Sequence, residues 1–485
     1  MLLGIDMGSG GVKLTALYED GRMAAEAIAE CPTLYPQPSF SEQSPDDWQR
    51  CLGEALAKLG QQIPLGGIRA VAPDAATHTC VLLDENYRPL DNAIFWTDQR
   101  SGGQAARLMA EHGEEILAKC LHPAGTIWTL CQLLWVMENK PEIFSKIRHL
   151  LFEKDYIRYL LTGRPATDTI EASGSMLYSH LTGGWDDSLC AMCGLDPSVL
   201  PELIAPTDIA GTVTPEAAQW TRLKAGTPVL CGTTDTVMEV FGAGAIRPGQ
   251  ATVKLATAGR ICVVTDRAVP DANLINYPHV APGMWYPGIA TRSAASAFRW
   301  YRDALGRDKY PALDEEAAKI PAGSEGLFFH PYLMGELAPY NDGELRASFV
   351  GATMRHTRAH FTRAALEGIA FSLRDAFDVL TAKGLSVREA AMIGGGSRSA
   401  LWQRITADVL GLRLRVPQNS DSSFASAMLA GIGIGVFASL DDALGRCASF
   451  VAEIEPDPET HAFYEERFRI YRAVHDALAP VYRMK

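Results

Sequence analysis

Short apolar runs separated by glycine-rich segments open the chain and recur near its middle. Residues 2–5 and 12–18 are mostly apolar and the segment between them is short, which predicts a strand, a tight reversal and a returning strand. The same pattern recurs in residues 251–256 and 260–265, on either side of a small-residue turn at 257–259. The recurrence indicates that the chain contains two related halves.

Longer segments carry apolar residues at helical spacing. They predict helices over 103–119, 128–138, 154–161, 360–382, 400–410 and 421–438. From residue 163 to about 225 the chain is rich in Gly, Pro, Asp and Thr, which favours irregular structure, and a short buried strand follows within 226–235. We therefore expect an α/β protein with two domains, residues 1–243 and 244–485, that face each other across a cleft.

Composition and charge narrow the classes of partner. The 485 residues are too many for one core, and 47% hydrophobic with 21% charged residues is typical of a globular protein. A net charge of −13 without basic runs argues against nucleic acid or an anionic membrane as partner. No apolar stretch approaches the roughly 18 residues of a membrane span and the chain opens on a predicted strand, so we expect a cytoplasmic protein. The ten cysteines favour reduced thiols; Cys190 and Cys193 form a C-x-x-C pair, but no second pair completes a zinc site.

Four small-residue stretches carry the candidate chemistry. They are the first reversal at 6–11, the stretch CGTTD that ends at Asp235, the second reversal at 255–259, and the glycines at 394–396. Taken singly, the first could be a flexible turn, Asp235 could cap a helix, and the glycines could be a strand-to-helix turn.

Taken together, the four stretches predict a nucleotide site. Two small-residue hairpin tips can hold a polyphosphate between backbone amides, and three glycines let an adenosine lie against the backbone. Asp6 and Asp235 supply a metal anchor and a base for an accepting hydroxyl. The chain has neither a Walker A sequence nor a G-x-G-x-x-G turn, so P-loop and Rossmann folds are disfavoured.

Longer motifs carry a resemblance along nearly the whole chain. They include PSFSEQSPDDW (38–48), FWTDQR (95–100), FEKDYIRYLLTGRPATDTIEASGSMLY (152–178), SFVGATMRHTRAHFTRAALEGIAF (348–371) and IGGGSRSALWQRITADVLG (393–411). The sequence resembles the FGGY carbohydrate kinases, sugar-phosphorylating members of the actin-like ATPase superfamily. Within that family it is most similar to the xylulose kinases. The resemblance implies two actin-like, ribonuclease H-like α/β domains with mixed sheets flanked by helices.

The resemblance also implies roles for individual residues. Asp6 would position Mg²⁺, and Asp235 would be the general base that contacts the sugar. The residues implied at ATP are Gly8, Ser9, Gly10, Lys13, Thr257, Gly259, Gly394, Gly395, Gly396, Ser397 and Asn419. Those implied at the sugar are Thr77, His78, Trp96, Asp98 and Arg100, together with Asp235. The expected partners are ATP, Mg²⁺, a small sugar and, as is common in the family, a second copy of the chain.

Several positions depart from the family pattern, at the sugar pocket and elsewhere. The usual Met-His pair is Thr77-His78 here, and the preceding Gly-Gln is Ala75-Ala76. The second hairpin reads Ala-Thr-Ala-Gly over 256–259 where the family usually has Gly-Thr-Ser-Gly. We expect phosphorylation of D-xylulose to its 5-phosphate. The alternatives are another acceptor (ribulose, gluconate, fuculose or glycerol), a nucleotide-driven module without an acceptor, and a catalytically inactive sugar sensor.

Overall fold

Two mixed β-sheets, one in each half of the chain, form the framework of the computed structural model, which describes residues 1–304 and 306–484. The strands of the first sheet are β1 (Leu2–Gly8), β2 (Gly11–Leu17), β3 (Met23–Glu30), β4 (Ala70–Ala75), β5 (Ile209–Thr212), β6 (Pro228–Leu230) and β7 (Thr233–Thr234). Those of the second are β8 (Gln250–Leu255), β9 (Gly259–Val263), β10 (Gly288–Ala290), β11 (Glu389–Ile393), β12 (Arg413–Pro417) and β13 (Phe450–Ile454).

The two sheets have the same arrangement. Their strand orders are β5-β6-β4-β1-β2-β3, with β7 also paired to β4, and β10-β9-β8-β11-β12-β13. In each sheet an antiparallel three-stranded meander is followed by two parallel strands and an antiparallel edge strand. The repeat that the sequence indicated is therefore present in the topology, and the fold is the two-domain α/β fold that we expected.

Helices cover the sheets on both sides. Those in the first half are α1 (Pro45–Leu59), α2 (Gly102–Cys120), α3 (Thr129–Asn139), α4 (Pro141–Phe144), α5 (Glu153–Thr162), α6 (Thr169–Gly174), α7 (Asp187–Met192), α8 (Pro215–Thr221) and α9 (Asp235–Gly242). Those in the second half are α10 (Ala295–Ala304), α11 (Tyr310–Ala317), α12 (Arg358–Ala382), α13 (Ala400–Leu410), α14 (Ser422–Gly433), α15 (Leu440–Cys447) and α16 (Pro458–Tyr482). Five two-stranded ladders complete the structure: Glu42–Gln43 with Ala93–Ile94, Cys80–Leu83 with His149–Phe152, Thr167–Asp168 with Leu203–Ile204, Tyr178–Ser179 with Gly184–Trp185, and Phe328–His330 with Ser348–Val350.

Three element bounds differ from the sequence-based expectations. The first strand continues to Gly8, so Asp6 lies within β1 rather than in the reversal. The strand expected within 226–235 is broken at Gly232, whose φ of +70° bends the chain, and Asp235 begins a helix. The helix expected to reach 438 ends at Gly433, shortly before the left-handed Gly435.

Helix α14 from the second half of the chain lies across the first sheet. Gly4 in β1 permits this approach, because a Cβ atom there would lie 1.8 Å from the carbonyl oxygen of Ser423. Hydroxyl groups also hold the helix: Ser423 bonds to Thr15 at 2.8 Å. The first sheet therefore depends on a helix that the chain supplies near its end.

Two further sequence features concern membrane-spanning helices and the C-x-x-C pair. Within the described ranges, no helix is long and apolar enough to cross a bilayer. Cys190 and Cys193 are buried free thiols at the C-terminal end of α7, and the Cys193 thiol faces the Cys190 carbonyl oxygen at 3.3 Å.

Candidate active site

Two carboxyl groups meet on the face of the first sheet that α14 covers. Asp6 in β1 is in register with Asp74 in the neighbouring parallel strand β4. Asp74 is fully buried, and its Oδ2 accepts a hydrogen bond from the Ser426 hydroxyl at 2.5 Å. Burial and the neighbouring Asp6 hold the pKa of Asp74 well above its usual range. Burial and the charge of Asp235 raise the pKa of Asp6 to about 7.

Asp235 stands at the N-terminus of α9. Its Oδ1 accepts a hydrogen bond from the backbone N–H of Thr236 at 2.6 Å. Burial and the charge of Glu239 raise its pKa to about 6, while Lys254 acts in the opposite direction. Lys254 donates to both carboxylate oxygens of Glu239, at 2.5 and 2.7 Å. At neutral pH Asp235 is thus an ionised carboxylate with a pKa close to the working range of a general base.

The two reversals are hairpin tips, as the sequence predicted. In the first, Gly8 pairs with Gly11, so Ser9 and Gly10 form an exposed two-residue tip. In the second, Leu255 pairs with Gly259, and the three residues between them form the tip. Gly259 itself is buried, and its N–H donates to the Thr291 hydroxyl at 3.2 Å.

The second tip and two of the three glycines, Gly395 and Gly396, line one cavity of about 620 Å³. Its walls include Thr257, Phe298, Tyr310, Gly395, Gly396 and Trp402. Gly394 has a φ of +86°, and a Cβ atom there would lie 2.6 Å from the Leu255 carbonyl oxygen. A Cβ atom on Gly395 would meet nothing within 4 Å, so that residue presents bare backbone to open space. This shape, flat backbone beside aromatic side chains, suits a nucleoside.

A larger crevice of about 1120 Å³ adjoins that cavity at Gly395. Asn419, Ser397 and Lys13 lie along this crevice and not in the smaller cavity. The Ser397 hydroxyl donates to the Gly394 carbonyl oxygen at 2.7 Å, and the Lys13 amine is engaged by the carboxylates of Asp421 and Glu26. Their contact with a nucleotide stays a prediction.

His78 is buried directly after β4, next to the half-buried Thr77. Its ring nitrogen Nε2 lies 2.6 Å from the Tyr277 hydroxyl, and its ring packs 4.9 Å from that of Trp128. The tight fit requires a glycine at position 174, because a Cβ atom there would lie 1.5 Å from the His78 ring. His78 is therefore held rigidly by one hydroxyl and two aromatic rings.

The segment WTDQR divides into an exposed and a buried part. Trp96 is 44% exposed. Asp98 and Arg100 are buried and paired at 2.7 Å, and Arg100 also donates to Glu42 at 2.8 Å and stacks on Phe40. Their hydrogen bonds are thus made within the protein, while contact of these three residues with a sugar stays a prediction.

Several charged residues of the site were not recognised from the sequence. Lys254 and Arg260 are directly opposite each other in β8 and β9, and Glu239 lies one turn after Asp235 in α9. The available signal was the pair of cations in the otherwise apolar hairpin VKLATAGRICVV.

The donor set fits a hydrated Mg²⁺ better than a protein-enclosed metal. In the part of the chain that the structure describes, no three His, Cys, Asp or Glu side chains converge on one point. Mg²⁺ usually keeps several waters and is bound by one or two carboxylates together with substrate phosphates. Asp6 meets that requirement, because it is half-buried below the first hairpin tip.

Comparisons with known proteins agree with this geometry. Models of the FGGY family of carbohydrate kinases match residues 1–242 (N-terminal domain) and 251–433 (C-terminal domain). A xylulose kinase from Escherichia coli (strain K12) is 31% identical over 99% of this chain and 100% of its own length. A gluconokinase from Bacillus licheniformis is 30% identical over 97% of this chain and 93% of its own. The crystal structure of a xylulose kinase from Rhodospirillum rubrum, 29% identical, matches with a TM-score of 0.92 over 99% of both chains.

Proposed function

The chain belongs to the FGGY family of carbohydrate kinases, and from that premise we propose that it transfers the γ-phosphoryl group of ATP to a terminal hydroxyl of a short sugar, with Asp235 as the general base. The observation that carries the proposal is the half-buried Asp235 at the N-terminus of α9, whose charge helps to raise the pKa of Asp6 in the strand that ends at the first hairpin tip. Asp235 would accept the proton of the attacking hydroxyl. The tips would hold the phosphates through backbone N–H groups.

Asp6 would hold Mg²⁺ through water, as its position in β1 allows. When bound, the ion offsets the negative charge of the phosphates. The glycines of the 620 Å³ cavity would seat the adenosine against bare backbone. Approach of the two halves would align hydroxyl and phosphate and exclude water that could otherwise accept the phosphoryl group.

D-Xylulose, converted to its 5-phosphate, is the first candidate acceptor. Its support comes from relatives named xylulose kinase that align with nearly the whole chain. His78, which this chain shares with the expected family pattern, would contact the ketose.

A sugar acid such as gluconate is the second candidate acceptor. Gluconokinases are about as similar to the chain as the xylulose kinases are. The residues before His78 also depart from the usual pattern, with alanine at 75 and 76 and threonine at 77. Three such changes beside the predicted sugar histidine are enough to alter which hydroxyls the site recognises.

The test is a coupled ADP-release assay with Mg·ATP against ketoses, polyols and sugar acids, run in parallel on Asp235→Ala. We expect at least one acceptor to stimulate ADP release and the variant to lose about 10²–10⁴-fold or more in turnover, the usual contribution of a positioned base. ATP affinity, measured by calorimetry, should change little, because Asp235 contacts the acceptor.

Three results would count against the proposal. Lost ATP affinity with turnover preserved would place Asp235 at the nucleotide instead. ATP hydrolysis that no acceptor stimulates would favour the nucleotide-driven module, and acceptor binding without turnover would favour the sensor.

A further inference from the structure

Arg260 projects from the second sheet towards α9, and within the described residues it has no carboxylate partner. It stands opposite Lys254 in the β8–β9 hairpin, so both side chains leave the same face of the second sheet towards α9. Lys254 is paired with Glu239. Among the described residues, no carboxylate oxygen lies within 4.0 Å of the Arg260 guanidinium, and Glu239, which acts on its charge from farther away, is bonded to Lys254.

The hydrogen-bond donors of Arg260 are also incompletely used. Nη1 reaches the Thr236 hydroxyl at 3.5 Å, the limit of a hydrogen bond. Nη2 is buried and has no hydrogen-bond partner in the part of the chain that the structure describes. A half-buried guanidinium with a buried, unpaired nitrogen and no counter-charge is costly, and its fork of N–H groups matches the two oxygens of a carboxylate.

Arg260 lies close to the proposed base. The hydroxyl that its Nη1 reaches belongs to Thr236, the residue next to Asp235. Burial, together with the charges of His122 and Arg260, holds the pKa of His78 well below its usual range, so the Arg260 charge also acts on the predicted sugar histidine. An acceptor with one hydroxyl at Asp235 and its chain directed towards His78 would therefore pass Arg260.

We infer that Arg260 binds a carboxylate of the acceptor, so that the preferred substrate is a polyhydroxy acid of the aldonate class and not a neutral ketose. The inference rests on the proposed phosphorylation of a sugar hydroxyl, and it favours the second of the two candidate acceptors. The anionic oxygens could also be those of the transferring phosphoryl group, and the test separates the two sources.

Matched pairs of acceptors test the inference. An aldonate and its alditol, such as D-gluconate and D-glucitol, have the same hydroxyls from C2 to C6 and differ in whether C1 is a carboxylate. We expect kcat/KM for at least one acid of four to six carbons to exceed that of its alditol and of D-xylulose by roughly 10²-fold or more. In Arg260→Gln this advantage should fall to a few-fold while activity on the neutral acceptors changes little.

Two control variants distinguish the effect of the Arg260 charge from an effect on folding. Arg260→Lys retains the charge but loses the planar fork, and it should keep part of the preference for the acid. Arg355→Gln, at an 80% exposed side chain, should leave both the preference and the circular dichroism spectrum unchanged. A preference for a neutral acceptor over every acid would overturn the inference and leave the kinase proposal standing.

Two further outcomes complete the test. Equal loss of kcat on acid and neutral acceptors in Arg260→Gln would assign Arg260 to the phosphoryl group and overturn the inference. If no acceptor releases ADP, the proposed function fails, and calorimetric binding of the acids decides the inference by itself. Binding of an acid that Arg260→Gln abolishes would then support it, and absence of any binding would overturn it.

Discussion

The proposed base, Asp235, is held between charges of opposite sign. Burial and Glu239 disfavour its ionised form, whereas Lys254 favours it, and the result is a pKa of about 6. A free aspartate would titrate about two pH units lower. The neighbouring ion pair therefore keeps a buried carboxylate ionised near neutral pH and still basic enough to accept a proton.

This arrangement predicts a shifted pH profile. The ionised form exists above the pKa, so at saturating Mg²⁺ we expect kcat/KM to be level above pH 6–7 and to fall about tenfold per pH unit below about 6. Lys254→Met removes a favourable charge and should move this acidic limb upward by ~1 pH unit or more. Glu239→Gln removes an unfavourable charge and should move the limb downward.

The opposite signs of the two shifts are the control. A general structural defect would lower activity at every pH without moving the limb. An acidic limb at the same pH in the wild-type protein and both variants would show that Asp235 is not the group that titrates.

At the scale of elements, helix α14 packs closely on β1 because Gly4 has no side chain. Gly4→Ala would place a Cβ atom 1.8 Å from the Ser423 carbonyl oxygen, and backbone cannot yield as a flexible side chain does. We expect a loss of about 1–3 kcal/mol or more in the free energy of unfolding, measured by urea denaturation. Gly66→Ala is the matched control: its Cβ would meet nothing within 4 Å, and stability should stay within about 0.5 kcal/mol. Equal stability of the two variants would contradict the close packing of α14.

Elements with a local cause were predictable from the sequence, and those with a distant cause were not. Both hairpins followed from alternating apolar runs around small residues, and helix α5 from apolar spacing that ends at the left-handed Gly163. The crossing of α14 over β1 could not be predicted, since nothing near Gly4 in the sequence shows which segment will cover it.

The residues of the candidate site also fall into two groups, those predictable from local sequence and those whose properties depend on distant segments. Asp6, Asp235 and the glycines at 394–396 stand in short motifs whose chemistry is local. The isolation of Arg260 depends on where Glu239 and Lys254 place their charges, and the burial of His78 depends on Gly174, 96 positions later in the chain. Such properties arise only when distant segments meet.

At the scale of the whole molecule, the two halves share a core. Met428 and Leu429 of α14 belong to the same apolar cluster as Leu2 and Leu17 of the first sheet. If the chain is divided at the expected boundary between 243 and 244, each part keeps its own sheet. The first part, however, loses α14, the helix that covers its sheet.

We accordingly expect a fragment of residues 1–243 to show no cooperative unfolding when produced alone. Its exposed face around Gly4 and Leu17 should bind the dye ANS, because apolar surface that α14 normally covers would be open to solvent. Addition of the fragment 244–485 should restore a cooperative transition and suppress dye binding. A fragment 1–243 that unfolds cooperatively by itself would show that α14 is dispensable for the first domain.

The late position of α14 in the chain also determines when the first sheet can be covered during protein synthesis. Strand β1 is synthesised long before α14, so it remains without the helix that covers it until α14 has been made. Between Leu17 and Ser422 about 400 residues must be added, which takes roughly 20–80 s at common rates of translation. During that interval the apolar face of the first sheet that α14 will cover is exposed in the nascent chain. We expect cellular chaperones to bind this face until α14 has been synthesised.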